Sequence, residues 1–181
     1  NKEIYFTSGG SESNNWALKG IAYANKEKGK HIITSKIEHP SVLETCKYLE
    51  KQGFEITYLD VDKNGFVKID QLKSKLRKDT ILVSIMYANN VIGTIQPIKE
   101  ISKVLEDKDI YFHTDAVQYI KNNEIDLKNL NIDLLSLSGH KFYGPKGIII
   151  LYIKKKTQID PLIHGGGQER NLRAGTENYI Y

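Results

Sequence analysis

Cysteine is nearly absent: the 181-residue chain contains one, Cys46. A lone cysteine excludes an internal disulfide framework and suits a reducing, cytoplasmic setting. Long apolar runs are missing, so there is no candidate membrane span, and no signal-peptide pattern stands in the chain. Charge of one sign is also scarce. The 26 basic and 22 acidic residues leave a net charge of +4, and outside "KKK" at 154–156 the two signs are interspersed. This describes a solvated surface rather than a nucleic-acid track. Internal repeats, low-complexity tracts and obvious linkers are absent, and no HExxH-type metal spacing occurs. What remains is ordinary globular composition, in a chain long enough for one large domain with a real core.

Helical and strand periods alternate along that chain. "EIYFT" reads as a strand, followed by a helix over Ser11 to Lys28 that carries Ala17, Ile21 and Ala24 on one face and stops at Gly29. "HIIT" is a short buried strand. A helix entered through Pro40 ends near Gly53, "FEITYLDV" is a strand, and "DKNG" is a turn. "IDQLKSKLR" is a short helix, "TILVSIMYA" a strand and "PIKEISKVLED" a helix. Three further apolar runs follow, "IYFHTDAV", "IDLLSLS" and "GIIILYI". Strands alternating with helices of this length predict an α/β fold in three layers, a mostly parallel sheet with helices on both faces.

Ligands in such sheets collect beyond the carboxyl ends of the strands, and five stretches fall there. In "TSGGSES" two glycines and a serine open a helix, so Gly10 and Ser11 either cap it or receive a phosphate on its free N–H groups. His39 precedes a helix, where it caps, or lays its imidazole on a planar ring. Asn89 and Asn90 follow a buried strand and shape a turn or bind a ligand. In "FHTDAVQ" the strand period puts His113 and Asp115 on one side. A carboxylate emerging from a buried strand costs several kcal/mol unless it meets a positive partner, and a protonated pyridine nitrogen would be one. Gln118 lies three residues on. "SLSGHKFYGPKG" ends an apolar run with Ser138, His140 and Lys141 before turning on glycine and proline. A lysine so flanked can be partly desolvated, and its neutral amine can then attack a carbonyl to form a Schiff base.

Six motifs, "TSGGSESNN", "EHPSVL", "NNVIG", "HTDAVQ", "SGHKFYGPKG" and "GGGQERNLRAGTEN", occur in this order across almost the whole chain. They resemble the cofactor site of the fold-type-I pyridoxal-phosphate enzymes, and most closely the cysteine desulfurases of the class V aminotransferases. The resemblance implies that Gly10 and Ser11 hold the cofactor phosphate, at positions where many members carry Ala-Thr. Ser138 and His140 would bind phosphate oxygens, and Thr176 would reach the neighbouring subunit's phosphate across a homodimer interface. His39 would stack on the ring and assist proton transfer, Asp115 would pair with the pyridine nitrogen, and Asn90 and Gln118 would face the ring hydroxyl and the substrate. Lys141 would bind the aldehyde. Val91 is a departure, since an acidic residue commonly precedes Ile in that motif.

The activity implied is removal of sulfur from L-cysteine, giving L-alanine and a persulfide on a mobile loop cysteine. The sulfur would go to an iron–sulfur scaffold or a tRNA-thiolating enzyme. Residues 1–181 would be the pyridoxal-phosphate-binding large domain, with an N-terminal segment and a C-terminal small domain absent, and the loop cysteine and the substrate-binding arginine would lie beyond Tyr181. Cys46 is not that nucleophile, because Val42, Cys46 and Leu49 share one helix face and read as core. A selenocysteine lyase or another class V aminotransferase would share the lysine site. A metal hydrolase using Glu38, His39, His113, Asp115 and His140, and an inactive excised domain, are the remaining alternatives. The expected protein binds neither nucleic acid directly nor a membrane, and needs no metal.

Overall fold

The computed structural model describes residues 2–120, 123–142, 144 and 147–177. Its centre is a seven-stranded sheet of β1 (Ile4–Thr7), β2 (His31–Ser35), β3 (Glu55–Leu59), β4 (Thr80–Ser84), β5 (Tyr111–Asp115), β6 (Leu134–Ser138) and β7 (Ile149–Ile153), in the order β1-β7-β6-β5-β4-β2-β3. β7 runs antiparallel to both of its neighbours, while the β2–β3, β2–β4, β4–β5 and β5–β6 pairs are parallel. The carboxyl ends of β1, β2, β4, β5 and β6 therefore open on one rim, and Gly10, Ser11, His39, Asn90, Asp115, Gln118, Ser138 and Lys141 stand at or just after those ends.

Consecutive residues of each central strand supply opposite faces, and both faces are buried. Ile32, Leu82 and Leu134 join Leu151 under α1 (Gly10–Ala24) and α2 (Pro40–Lys51), which contribute Trp16, Ala17, Ile21, Val42, Cys46 and Leu49. The next residues along, Ile33, Val83 and Leu135, face α3 (Ile69–Lys75) and α4 (Ile98–Leu105) through Leu72, Ile98, Ile101 and Leu105. This is the three-layer α/β arrangement expected from near-continuous apolar strands. Among the described residues no helix is long and apolar enough to cross a membrane.

Two boundaries differ from the sequence expectation for local reasons. α1 ends at Ala24 rather than running on to Lys28, because Asn25 caps it. Its backbone N–H and its Nδ2 both donate to the Ile21 carbonyl, and Nδ2 also donates to the Gln158 carbonyl at 3.0 Å. β4 stops as a regular strand at Ser84. The chain beyond it keeps contact with β5 through single bonds, Ile85 N–H to the His113 carbonyl and Tyr87 N–H to that of Asp115.

Cys46 is fully buried on the sheet-facing side of α2, as its spacing predicted. Burial first, then the nearby Glu38 and Glu50 carboxyl groups, hold its thiol far above the ordinary thiol range, so it carries no thiolate at neutral pH. Cys46→Ser is expected to lower the unfolding free energy by about 1–2 kcal/mol, the cost of burying a poorly paired hydroxyl. Urea midpoints measure that loss. A thiol reagent should label wild-type Cys46 only in denaturant, and rapid labelling of the native chain would contradict the buried placement.

Candidate active site

The site is built at the carboxyl rim from five strand ends and the start of α1. β1 ends at Thr7, whose hydroxyl lies 2.7 Å from that of Ser13 and so folds the Ser8–Gly9 turn back onto the helix. Gly10 begins α1 close to the segment after β5: a Cβ there would stand 3.3 Å from Val117 Cγ2. A glycine allows that approach without displacing Val117. Ser11 is exposed beside it, in the first turn of a helix whose N-terminal N–H groups have no intrahelical partner.

Asp115 closes β5 and is 7% exposed. Its Oδ2 accepts from Asn14 Nδ2 at 2.7 Å and its Oδ1 from the Val117 N–H at 3.0 Å. Burial pushes its pKa up, opposed by those two bonds and by the charge of His39. The donors are neutral, so the carboxylate sits in a place that would favour a cation. Asn14 itself occupies the buried stripe of α1 that continues through Ala17 and Ile21. Its Nδ2 also donates to Ser41 Oγ at 2.9 Å, and its Oδ1 is buried without a hydrogen-bond partner.

Ser41 leads to His39. The exposed His39 is the N-cap of α2, and its Nδ1 accepts from the Ser41 N–H at 3.1 Å and lies 2.8 Å from Ser41 Oγ. The capping reading of this histidine is realised through Nδ1, and no hydrogen bond to Nε2 is formed among the described residues. A continuous path, His39–Ser41–Asn14–Asp115, joins two predicted site residues that are 76 positions apart. Asn14 and Ser41 did not emerge from the sequence reading. The available signal was an asparagine at helical spacing on an otherwise apolar stripe.

Beyond β6, Ser138 is fully buried and Lys141 is half-buried on the 3₁₀ turn Gly139–Phe142. The side chain of His140 lies outside the described residues. This turn is tight because Gly144 donates to the Gly139 carbonyl at 2.9 Å, where a Cβ on Gly144 would collide with that oxygen. After β4 the two asparagines differ in environment. Asn89 is buried and shapes the turn, donating to the Ile37 carbonyl and accepting from the Val91 and Ile92 N–H groups, whereas Asn90 is exposed. Gln118 is half-buried one residue before Tyr119, which stacks on Tyr87 at 3.7 Å and fastens the β4 and β5 exits together. Thr176 is exposed on the final described segment.

Among the described residues no group of those offered for a metal hydrolase could hold a metal ion, and the side chain of His140 lies outside them. His113 is fully buried with its two ring nitrogens against Ser84 Oγ at 2.8 Å and Ser136 Oγ at 3.0 Å, and burial alone lowers its pKa to about 3. It is a neutral cross-strand tie between β4, β5 and β6, with neither nitrogen available as a ligand. Glu38 is buried separately, its Oε1 receiving Ser35 Oγ at 2.6 Å and the Met86 N–H at 2.9 Å.

Comparison with known proteins agrees with this architecture. The chain is 68% identical over 176 residues to a protein named cysteine desulfurase IscS from Methanosarcina thermophila, which covers 97% of this chain and 44% of that protein. It is 58% identical to the putative cysteine desulfurase IscS 1 of Bacillus subtilis strain 168, covering 98% and 47%. Among solved structures, a NifS-like protein superposes with a TM-score of 0.95 at 49% identity, covering 98% of this chain and 49% of that one. A structure titled SspA in complex with cysteine gives 0.93 at 50% identity, covering 97% and 51%. The chain spans about half the length of the relatives it matches. The family pattern described as Aminotransferase class-V matches residues 1–180, and with the sheet order and rim just described, the chain belongs to that family.

Proposed function

We propose that these residues form the cofactor-binding large domain of a pyridoxal-phosphate-dependent cysteine desulfurase. The observation that carries the reading is the buried Asp115, held by neutral donors at a strand end, with Lys141 on the turn after the adjacent strand. The buried carboxylate without a cationic partner and the orphaned Asn14 Oδ1 fit a polar, positively charged ring better than an apolar ligand. Naming of the relatives as cysteine desulfurases narrows the chemistry within the family.

In this reading Asp115 holds the pyridinium nitrogen, Lys141 the aldehyde, and Gly10, Ser11, Ser138 and His140 the phosphate. Asn90 and Gln118 lie toward the ring hydroxyl and the substrate. When bound, the cofactor supplies an electron-withdrawing ring that stabilises negative charge on the substrate α-carbon. The chain's own contribution is charge and proton placement. Asn14 and the Val117 N–H orient the Asp115 carboxyl group, so its oxygens are positioned before any ligand arrives. Because His39 Nδ1 accepts from a backbone N–H, the neutral ring carries its hydrogen on Nε2, and that atom is the one able to give or take a proton. The Lys141 amine is the second proton carrier at the rim.

The sulfur-accepting thiol is assigned to a part of the full-length protein outside these residues, since Cys46 is sealed in the core. A homodimer in which Thr176 reaches the other subunit's phosphate, a cytoplasmic location, and delivery of sulfur to an iron–sulfur scaffold or a tRNA-thiolating enzyme complete the proposal. The full-length protein, supplied with pyridoxal phosphate, L-cysteine and a dithiol that reduces the enzyme persulfide to thiol and sulfide, is expected to release alanine and sulfide in equal amounts. Amino-acid chromatography and a sulfide assay measure them. Absence of alanine overturns the proposal, turnover of selenocysteine alone makes the protein a selenocysteine lyase, and amino-group transfer to a 2-oxo acid makes it an aminotransferase.

A further inference from the structure

The first turn of α1 carries a carboxylate where the proposed function needs to receive an anion. Glu12 follows Gly10 and Ser11 directly, and within one turn of a helix all such groups are near neighbours. It is mostly shielded from solvent, its side chain 12% exposed, so water screens its charge poorly. An unbalanced carboxylate at this place would repel a phosphate arriving at the same N–H groups.

The chain cancels that charge from 161 residues away. Arg173 grips Glu12 in a two-pronged contact, Nε to Oε1 at 2.7 Å and Nη2 to Oε2 at 3.1 Å, with only 17% of its own side chain exposed. Ser8 adds its backbone N–H at 2.8 Å and its hydroxyl to Oε2. These bonds outweigh burial and hold the Glu12 carboxyl below its ordinary range, so the pair is ionised. The segment bearing Arg173 is held in a conformation that needs fixing. Glu169, Arg170 and Asn171 all adopt left-handed φ, at 42°, 60° and 65°, a strained state for non-glycine residues. Arg170 lies 4.0 Å over the Tyr5 ring and donates to the Ile4 carbonyl, while the buried Ala174 donates to the Ile163 carbonyl. The outcome is a cation delivered to the phosphate end of the rim and spent on a neighbouring carboxylate.

We infer that Arg173 is a positioning residue for the cofactor phosphate: by neutralising Glu12 it makes the start of α1 able to accept a dianion, and it anchors the segment that carries Thr176. This rests on the pyridoxal-phosphate reading, and comparing two ligands separates the two claims. Pyridoxal lacks the phosphate but presents the same ring and aldehyde. In the full-length apoprotein, Arg173→Met is expected to weaken pyridoxal phosphate binding about tenfold to a hundredfold, the size of an unscreened like-charge contact near a protein surface. Pyridoxal binding should change less than about threefold. Glu12→Gln, which leaves the arginine charge behind, should bind pyridoxal phosphate as tightly as wild type or tighter. The double variant Glu12→Gln/Arg173→Met should recover most of the loss. Absorbance titration of each ligand gives the dissociation constants. Equal weakening of both ligands in Arg173→Met, no change in either, or a selective loss of pyridoxal phosphate in Glu12→Gln overturns the inference. If Arg173→Met does not fold, the Glu12→Gln result alone decides it. Failure of wild type to bind pyridoxal phosphate defeats the underlying cofactor reading instead.

Discussion

Replacing Lys141 with alanine in the full-length protein is expected to abolish covalent retention of pyridoxal phosphate while leaving the unfolding transition within about 0.5 kcal/mol of wild type. The asymmetry follows from where the residue sits. Lys141 is half-buried on a 3₁₀ turn whose shape comes from backbone contacts, Gly144 N–H to the Gly139 carbonyl and Gly139 N–H to that of Ile148. Among the described residues it forms no ion pair, so truncation strands no buried partner. Borohydride reduction followed by peptide mapping should place the cofactor on Lys141 in wild type and nowhere in the variant. Lys36 is the informative competitor, because it too follows the end of a rim strand. Its nitrogen is held against Asp60 Oδ1 at 2.5 Å and is not free to meet an aldehyde. Label on Lys36 would overturn the assignment. A large loss of stability in Lys141→Ala would show instead that the turn depends on this side chain.

The residues that the sequence made legible are those whose chemistry conflicts with their local pattern. Asp115 stands at the end of a buried strand, Lys141 at the end of another, and Gly10 opens a helix, so each is visible as an exception to the strand or helix period around it. Their partners are not, since nothing in the chain between residues 14 and 115 encodes that Asn14 will donate to Asp115, or that Arg173 will return to Glu12. Such contacts depend on the crossovers of the sheet. Strand direction was equally hidden for β7: "GIIILYI" is equally apolar read in either sense, and its antiparallel register with β6 and β1 is a product of the whole sheet. Helix ends were misjudged where a side chain competed with a glycine signal. Asn25 terminates α1 with its own amide, four residues before Gly29. Asn89 and Asn90 were indistinguishable by composition, and only the turn geometry shows which of the two is consumed.

Glu38 leads to the second large effect, in stability against pH. It is 4% exposed, and burial raises its pKa to about 8 even though Ser35 Oγ and the Met86 N–H both bond its Oε1; the Asp115 charge raises it further. In the unfolded chain a glutamate ionises near its ordinary value of about 4.3. Between these limits the folded protein binds a proton that the unfolded chain has released, so stability falls as pH rises from about 4.3 to about 8 and levels off above it. The loss across that window should be several kcal/mol, on the order of 3–5 for a shift of this size. Asp115 and Asp133, also raised by burial, add slope of the same sign, while His113, lowered by burial to about 3, opposes it below its unfolded pKa. A difference between variant and wild type isolates the contribution of Glu38. Glu38→Gln keeps an oxygen for Ser35 and Met86 but cannot ionise. It is therefore expected to be near wild type in stability at pH 5 and more stable by several kcal/mol at pH 8.5, with urea unfolding at each pH as the measurement. Parallel pH profiles for the two proteins would refute the buried, protonated state. The consequence reaches the site because Glu38 bolts the end of β2 to the exit of β4 immediately before His39. Ionising it above about pH 8 should loosen the turn that sets His39 Nδ1 against the Ser41 N–H, whereas the fall in stability below that pH leaves the turn intact.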